Sequence, residues 1–204
     1  DNFLNYEQLI LESSHDIIWP ELPENTAAGL CYTSGTTGNP KGALYSHRST
    51  VLHALTTSLN LGPSLGDGMK VLPVVPLFHV NAWGLPYAAP LTGTSLIFPG
   101  PNLDGASLFD LMDQENVNSA WGVPTVWLGL LEEIRKQERV PSQFQNVVIG
   151  GSAAPKSMIE EFESLGITVC HAWGMTEMSP VGTQGFLPGS MKKALSQDCL
   201  LYTS

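Results

Sequence analysis

One stretch of the sequence carries residue types that suit a polyphosphate. It runs from Tyr32 to Gly42 and reads Tyr-Thr-Ser-Gly-Thr-Thr-Gly-Asn-Pro-Lys-Gly. Glycines let the backbone turn its N–H groups inward, while hydroxyl groups and the Lys41 ammonium add further donors. The stretch is not a Walker A loop, because Pro40 precedes Lys41 and Gly42 follows it. We therefore predict a phosphate-binding loop; the alternative for such a composition is a flexible surface loop.

A second group of functional side chains follows the apolar run from Ile167 to His171. A tryptophan beside a glycine, Trp173-Gly174, offers a flat surface for an adenine ring. Thr176 offers a hydroxyl to a phosphate, and Glu177 offers the hard carboxylate oxygen that Mg²⁺ prefers alongside phosphate and water. The alternative is a glycine-containing turn with an exposed glutamate.

Two further stretches are ambiguous when taken alone. His79 lies in the apolar segment 76–84, and a histidine in such company is usually a packed, hydrogen-bonded core residue. The stretch Gly150-Gly151-Ser152-Ala153 lies between a predicted strand and a helix that begins at Pro155. Its composition is typical of a tight strand-to-helix turn.

Together these stretches resemble the fingerprints of the adenylate-forming superfamily, which includes acyl-CoA synthetases, luciferases and peptide-synthetase adenylation domains. The first fingerprint is Tyr32–Gly42, continued by Ala43-Leu44-Tyr45-Ser46-His47-Arg48. The second is Phe78-His79-Val80-Asn81-Ala82-Trp83-Gly84, which looks most like medium- or long-chain fatty-acyl-CoA ligases and methylthio-propionate ligases. The third runs from Ala172 to Pro180. The three occur in the order found in the family.

The resemblance implies roles for individual residues. Catalytic roles fall to Thr176, Glu177 and Lys41, and Mg²⁺ would be held by Glu177 with Thr33. The acyl pocket would be bordered by His79, Val80 and Trp83. ATP would be contacted by Thr33, Ser34, Gly35, Thr36, Thr37, Gly38, Gly151, Ser152, Ala153, His171, Ala172, Trp173, Gly174 and Met175.

The same resemblance implies a two-step reaction that uses ATP, Mg²⁺ and coenzyme A. A carboxylic acid, most simply a fatty acid, is first converted to acyl-AMP and then to acyl-CoA. Three alternatives stay open: an aryl- or amino-acid-adenylating enzyme, a non-catalytic nucleotide-binding module of the same fold, and a membrane-associated protein that uses the uncharged segment 71–102. Pro73, Pro76, Pro86, Pro90 and Pro99 interrupt that segment, so we expect a buried strand–helix–strand unit and no transmembrane span.

Hydrophobic periodicity predicts an α/β fold of layered, mostly parallel sheets flanked by helices. A short helix is expected near residues 6–11, and a strand and its return strand at 28–33 and 43–45. A helix from His47 is predicted to bury Val51, Leu52, Leu55 and Leu59 and to end at Gly62-Pro63. Further strands are predicted at 71–75, 95–98, 117–121, 147–149 and 167–171. Further helices are predicted to follow Asp104, Pro124 and Pro155, with Leu165 among the buried residues and Glu133 on a solvated face.

Composition limits the class of protein. The chain has 204 residues and a net charge of −10, which argues against nucleic-acid binding and requires local donors for any phosphate. Cys31, Cys170 and Cys199 form neither a zinc pattern nor a disulfide framework, so we expect a reducing cytoplasmic setting. The longer form that the family implies could be a homodimer.

The resemblance covers residues 25–198 and implies part of the large N-terminal domain of a family member. We expect residues 1–24 to be a lead-in and residues 199–204 to be a tail that is not native. The family's ribose-binding motif and its C-terminal domain with the adenylation lysine have no counterpart in the sequence. We therefore expect the 204 residues alone to bind ATP very weakly, to form negligible acyl-adenylate and to expose apolar surface.

Overall fold

The structure is a computed structural model that describes residues 4–14, 16–33, 38–60 and 64–185. Its strands are β1 (Ala27–Thr33), β2 (Lys41–Ser46), β3 (Lys70–Pro73), β4 (Ser95–Leu96), β5 (Ser119–Gly122), β6 (Asn146–Ile149), β7 (Thr168–Gly174) and β8 (Val181–Gly185). Its helical segments are α1 (Tyr6–Glu12), α2 (His47–Asn60), α3 (Val80–Trp83), α4 (Leu85–Thr92), α5 (Gly105–Gln114), α6 (Pro124–Gln137), α7 (Lys156–Ser164) and a 3₁₀ turn at Thr176–Met178.

A six-stranded sheet with the order β4-β3-β5-β6-β7-β8 forms the centre of the fold. Strands β3 to β7 pair in parallel, and β8 adds an antiparallel edge beside β7. The predicted mostly parallel α/β architecture is therefore confirmed. The described ends of the first fingerprint lie apart from this sheet, on the antiparallel two-stranded sheet β1–β2.

Both faces of the central strands are buried, which explains why their sequences are almost uniformly apolar. Every residue of β5 and β6 is buried, and alternate side chains enter two separate cores. Ala120 and Val147 pack against α5, α6 and α7, whereas Trp121 and Val148 pack against α4, α2 and the hairpin β1–β2. The sheet is thus sandwiched between two helical layers.

Local signals set the ends of the helices on the first face. Asp104 caps α5, because its carboxylate accepts a hydrogen bond from the Ser107 N–H over 3.0 Å. Pro124 occupies the first turn of α6, where its missing N–H costs nothing. Gly166 adopts a φ of 79° just beyond α7 and ends it.

The predicted buried face of α2 is wrong. The predicted residues are exposed, with fractions of 55% for Val51, 49% for Leu52, 43% for Leu55 and 84% for Leu59. The buried residues are His53, Ala54 and Thr57, which have the helical spacing on another face of the helix. That face lies against the hairpin and α4, where the His53 ring contacts Gly84. The close approach of these elements leaves room for compact side chains and not for leucines.

Two smaller predictions also fail. Glu133 is buried and not solvated, and its carboxylate is compensated by hydrogen bonds from Gln137 at 2.8 Å and Lys136 at 3.2 Å on its own helix. Leu165, which was expected in the core, follows the end of α7 and is 37% exposed. Neither change alters the arrangement of the sheet.

The segment from residue 71 to residue 102 forms β3, α3, α4 and β4, which agrees with the predicted strand–helix–strand unit. Within the described ranges, no helix has the length and apolar character needed to cross a bilayer. Cys31 and Cys170 are buried free thiols. The predicted end of α2 at residues 62–63, Cys199 and the tail at 199–204 lie outside the described residues.

The packing of α5 against α6 leads to a test with two glycines. A Cβ atom added to Gly105 would lie 2.0 Å from the carbonyl oxygen of Gly129, whereas one added to Gly129 would lie 3.5 Å from the nitrogen of Gly105. We expect Gly105→Ala to destabilise the protein by at least about 1–3 kcal/mol, because backbone atoms must move apart.

The matched variant Gly129→Ala keeps ordinary contacts inside a helix, so its unfolding free energy should equal or exceed that of the parent by up to about 1 kcal/mol. Urea unfolding of both variants measures the difference. Equal effects of the two substitutions would show that the helices do not approach this closely.

Candidate active site

A cavity of about 860 Å³ opens at the carboxyl-terminal ends of the parallel strands, where ligands bind in folds of this kind. Residues from four separate parts of the chain line it. They are Thr33, Gly38, Asn39 and Lys41 from the hairpin; His79, Val80 and Trp83 after β3; Gly150 and Gly151 after β6; and Ala172, Trp173, Gly174, Met175, Thr176, Glu177, Pro180 and Val181 from the end of β7 to the start of β8.

The hairpin brings the two ends of the predicted phosphate loop to the cavity. Thr33 and Lys41 are paired residues in the β1–β2 register, and the Thr33 hydroxyl donates a 3.4 Å hydrogen bond to the Lys41 carbonyl oxygen. The predicted contacts Ser34, Gly35, Thr36 and Thr37 lie outside the described residues. The register therefore sets where the loop begins and ends.

The segment after β3 turns with the opposite hand to an ordinary helix. Val80, Asn81, Ala82 and Trp83 have φ values of 43°, 52°, 45° and 56°, and Gly84 continues at 79°. This left-handed conformation is unfavourable for residues with a Cβ, above all for a branched one such as Val80. The turn is closed by a 3.0 Å hydrogen bond from the Gly84 N–H to the Asn81 carbonyl oxygen. It brings both Val80 and Trp83 to the cavity wall.

Glycines just after β6 and in β8 allow close approach to aromatic rings. A Cβ atom at Gly150 would lie 2.9 Å from the Trp83 ring and 3.0 Å from the Ala172 carbonyl oxygen. A Cβ atom at Gly182 would lie 3.0 Å from the ring of Trp173. Trp173 is 49% exposed, so the indole remains available for a planar ligand group.

The segment that carries Glu177 closes back on the end of β7. The Met175 N–H donates a 3.0 Å hydrogen bond to the Pro180 carbonyl oxygen, and a Cβ atom at Gly174 would lie 2.2 Å from that same oxygen. Only a glycine at position 174 permits this approach. The 3₁₀ turn Thr176–Met178 then presents Glu177 as an exposed residue at the cavity.

Two buried residues that the sequence analysis did not single out contact this segment. The Tyr45 hydroxyl, on β2, donates a hydrogen bond to the Thr176 carbonyl oxygen. The Val181 N–H donates a 3.2 Å hydrogen bond to Nε2 of His53, on α2. Tyr45 lies inside the continuation of the first fingerprint, and this position could have identified it. His53 lies between Leu52 and Ala54, outside every fingerprint, so no motif pointed to it.

Burial shifts the proton affinities of both side chains. The pKa of Tyr45 is raised mainly by desolvation, and to a lesser degree by Cys31 and by the charge of Glu177. Burial lowers the pKa of His53 to about 4, so the imidazole is neutral near pH 7. Its Nε2 can therefore accept the Val181 hydrogen bond.

The structure brings most of the described residues of the predicted site to one cavity, with three exceptions. Ser152, Ala153 and His171 lie next to the cavity but do not line it, and the pKa of His171 is lowered by partial burial. The lining also includes Asn39, Gly150, Pro180 and Val181, which the sequence-based site omitted. Asn39 and Pro180 are within the fingerprints, so their positions in those motifs could have identified them.

The charge distribution of the cavity suits a metal-bound polyphosphate. Lys41 and Glu177 are the lining residues with a full charge among those described, and the described chain contains no cluster of three or more metal-ligating side chains. Mg²⁺ needs only one or two carboxylates when phosphates and water complete its octahedron. The Glu177 carboxylate therefore fits this ion, and the Thr33 hydroxyl lines the same cavity.

Known proteins with similar sequences are enzymes that bind AMP or form acyl-CoA. The family model of AMP-binding enzymes matches residues 1–200. The chain is 55% identical over 179 residues to a medium-chain-fatty-acid–CoA ligase from Ectopseudomonas oleovorans, a match that covers 87% of this chain and 33% of the relative. It is 50% identical over 181 residues to a 3-methylmercaptopropionyl-CoA ligase from Ruegeria pomeroyi, again with 87% and 33% covered. The chain thus spans about a third of the length of these curated relatives.

Solved structures give the same result for the fold. The o-succinylbenzoate CoA synthetase from Bacillus subtilis, in complex with ATP and a magnesium ion, superposes with a TM-score of 0.76 at 26% sequence identity. The match covers 91% of this chain and 38% of that one.

The buried neutral imidazole makes stability depend on pH. The folded-state pKa of His53, about 4, lies below the ordinary value of 6.5, so between these values the unfolded chain binds more protons and stability falls as the pH decreases. The slope from this residue approaches about 1.4 kcal/mol per pH unit at most.

A comparison with His53→Gln, which does not titrate, isolates this contribution from that of His171. The unfolding free energy of the parent minus that of the variant should decrease from pH 6.5 towards pH 4. A constant difference across this range would mean that His53 is protonated as easily in the folded chain as in the unfolded one.

The left-handed turn predicts that replacing alanine with glycine costs less stability there than in an ordinary helix. Ala82 and Ala88 are both fully buried, but Ala82 is in the left-handed turn and Ala88 is in α4. We expect Ala82→Gly to cost about 1–2 kcal/mol less than Ala88→Gly, because glycine relieves the left-handed strain only at position 82. Chemical unfolding of the two variants tests this, and equal losses would contradict the backbone conformation described for the turn.

Proposed function

The chain belongs to the family of AMP-binding enzymes, and on that premise we propose that it contributes the nucleotide and acid sites of an ATP-dependent acid–thiol ligase. The reaction would join a carboxylic acid to coenzyme A through an acyl-adenylate. The observation that carries this proposal is the single cavity shared by the hairpin, the left-handed turn, Gly150-Gly151 and the segment 172–177. The match to curated CoA ligases over 87% of the chain supports it.

ATP would lie across the cavity with its two ends recognised by different chemistry. Adenine would lie between the half-exposed indole of Trp173 and the backbone at Gly150-Gly151, which line the same cavity. The phosphates would extend towards the hairpin, where Lys41, Thr33 and backbone N–H groups supply donors. Because the chain is acidic overall, these local groups must provide the attraction.

Bound Mg²⁺ would neutralise phosphate charge and polarise the phosphoryl oxygens. Glu177 would be its protein carboxylate and the Thr33 hydroxyl a further oxygen ligand. Thr176 would donate its hydroxyl to the α-phosphate. The relative that was solved with ATP and magnesium shares this fold at 26% identity.

The acid would enter on the side of the left-handed turn. Val80 and Trp83, which are mostly buried, make the cavity wall apolar there, and His79 is an exposed polar group at the same edge. A carboxylate oxygen would attack the α-phosphorus of ATP, forming the acyl–phosphate bond as pyrophosphate leaves. The sulfur of coenzyme A would then attack the acyl carbon, and AMP would leave. The protein contributes by positioning the two reactants and stabilising charge on the phosphates.

We propose a fatty acid as substrate, because the medium-chain-fatty-acid–CoA ligase matches at 55% identity. The 3-methylmercaptopropionyl-CoA ligase, at 50% identity, makes a short thioether acid the competing substrate. Both substrates carry an apolar chain that suits the surface formed by Val80 and Trp83.

A chimera tests the proposed activity in a protein of the full length of a relative. We would replace the matched third of the Ectopseudomonas ligase with this chain and measure acyl-CoA formation from ATP, coenzyme A and a series of acids. We expect activity that depends on the acid, and Glu177→Gln should lower it by at least about tenfold through loss of a metal ligand.

The control is Glu132→Gln, which removes an exposed carboxylate from α6, away from the cavity, and should leave the rate unchanged. Full activity of Glu177→Gln, or pyrophosphate release that does not need the acid, would refute the proposal. The 204 residues alone should bind MgATP only at millimolar concentration and form no acyl-CoA.

A further inference from the structure

Among the residues that the structure describes, no side chain fixes the position of the Glu177 carboxylate. Within the described ranges it makes no hydrogen bond and no ion pair. Its location therefore depends on the backbone of the segment 176–180, which leaves the sheet after β7 and rejoins it at β8. Whatever holds the two ends of this segment also holds the carboxylate.

Each end of the segment is held by one buried side chain from a distant part of the sequence. At the start, the Thr176 carbonyl oxygen accepts the hydrogen bond from Tyr45, which is 6% exposed. Just past the other end, the Val181 N–H donates to His53, which is 8% exposed. Tyr45 and Thr176 are 131 positions apart in sequence, and His53 and Val181 are 128 apart.

The two side chains belong to one continuous unit. Strand β2 begins at Lys41, carries Tyr45 and runs directly into α2, which carries His53. The same unit therefore contributes Lys41 to the cavity and holds the segment of Glu177. The His53 ring also contacts Gly84, where an added Cβ atom would lie 2.7 Å from Nδ1 and Cε1, so it touches the left-handed turn as well.

We propose that Tyr45 and His53 are positioning residues for Glu177, holding the two ends of the segment 176–180 at a fixed distance from Lys41. The proposal rests on the proposed function, in which Glu177 binds the metal of MgATP. Neither side chain lines the cavity, so both act through the backbone. Their loss should weaken binding of the metal–nucleotide complex while leaving metal-free nucleotide nearly unaffected.

The test uses the 204-residue chain and two probes, MgATP and ATP with the metal removed by EDTA. Binding is followed by NMR titration of the Trp173 indole and backbone amides up to millimolar nucleotide. The measured quantity is the ratio of the two affinities. Tyr45→Phe removes only the hydroxyl, and His53→Leu removes the acceptor at similar size. His53→Gln provides a new acceptor oxygen for the Val181 N–H.

We expect Tyr45→Phe and His53→Leu each to lower the affinity ratio about threefold to tenfold, the effect of one hydrogen bond. His53→Gln should restore most of the ratio. Amide exchange at Val181 should accelerate in His53→Leu and remain slow in His53→Gln. The control Ile134→Val, in the core on the opposite face of the sheet, should destabilise the chain without changing the ratio.

The outcomes separate the two proposals. If Glu177→Gln lowers the ratio but Tyr45→Phe and His53→Leu do not, the positioning role is wrong and the proposed function stands. The positioning role is also wrong if Ile134→Val lowers the ratio as much as they do, since general destabilisation would then explain the effect. If Glu177→Gln leaves the ratio unchanged, the metal-binding role of Glu177 in the proposed function fails and the positioning role fails with it.

Discussion

Burial of both faces of the parallel strands is the constraint on which the rest of the structure depends. Strands β5 and β6 are buried at every residue, so their backbones can pair only with neighbouring strands and their side chains must enter two different cores. Helices on one face and the hairpin with α2 and α4 on the other satisfy this requirement. The parallel direction then places the loops after β3, β6 and β7 at one edge, where the cavity forms.

Much of the cavity wall is backbone that lies outside regular helices and strands, in close approaches at glycines and in a left-handed turn. Gly174 permits a backbone approach to Pro180, and Gly150 permits the Trp83 ring to lie against the end of β6. The left-handed turn at Val80–Trp83 adds conformational strain at the same place. Strain concentrated beside a cavity is tolerated when the surrounding packing fixes it, and the buried residues Val80, Ala82 and Trp83 belong to the second core.

The hairpin β1–β2 depends on contacts with the rest of the fold, including the third fingerprint. The hairpin is not part of the main sheet, and an isolated two-stranded sheet has little stability of its own. Its inner side chains Cys31 and Tyr45 join the second core, and Tyr45 reaches the backbone at Thr176. The outer side chains Leu30, Tyr32 and Leu44 remain more than half exposed. Among the described residues, the hairpin is therefore packed against the second core through its inner face, while its outer face stays exposed.

Sequence alone determined the family and the type of fold, and it predicted the kind of chemistry. The residue types of Thr33, Lys41, Trp173 and Glu177 indicated a nucleotide and a metal, and apolar runs with helical periods between them indicated a parallel α/β sheet. These signals are short-range, since a period or a motif needs only neighbouring residues. Tertiary structure decided which face of α2 is buried, the hand of the turn at Val80–Trp83 and the contacts of Tyr45 and His53. Those features arise from contacts between residues far apart in sequence, and a hydrophobic pattern does not specify which surface a helix or a ring will meet.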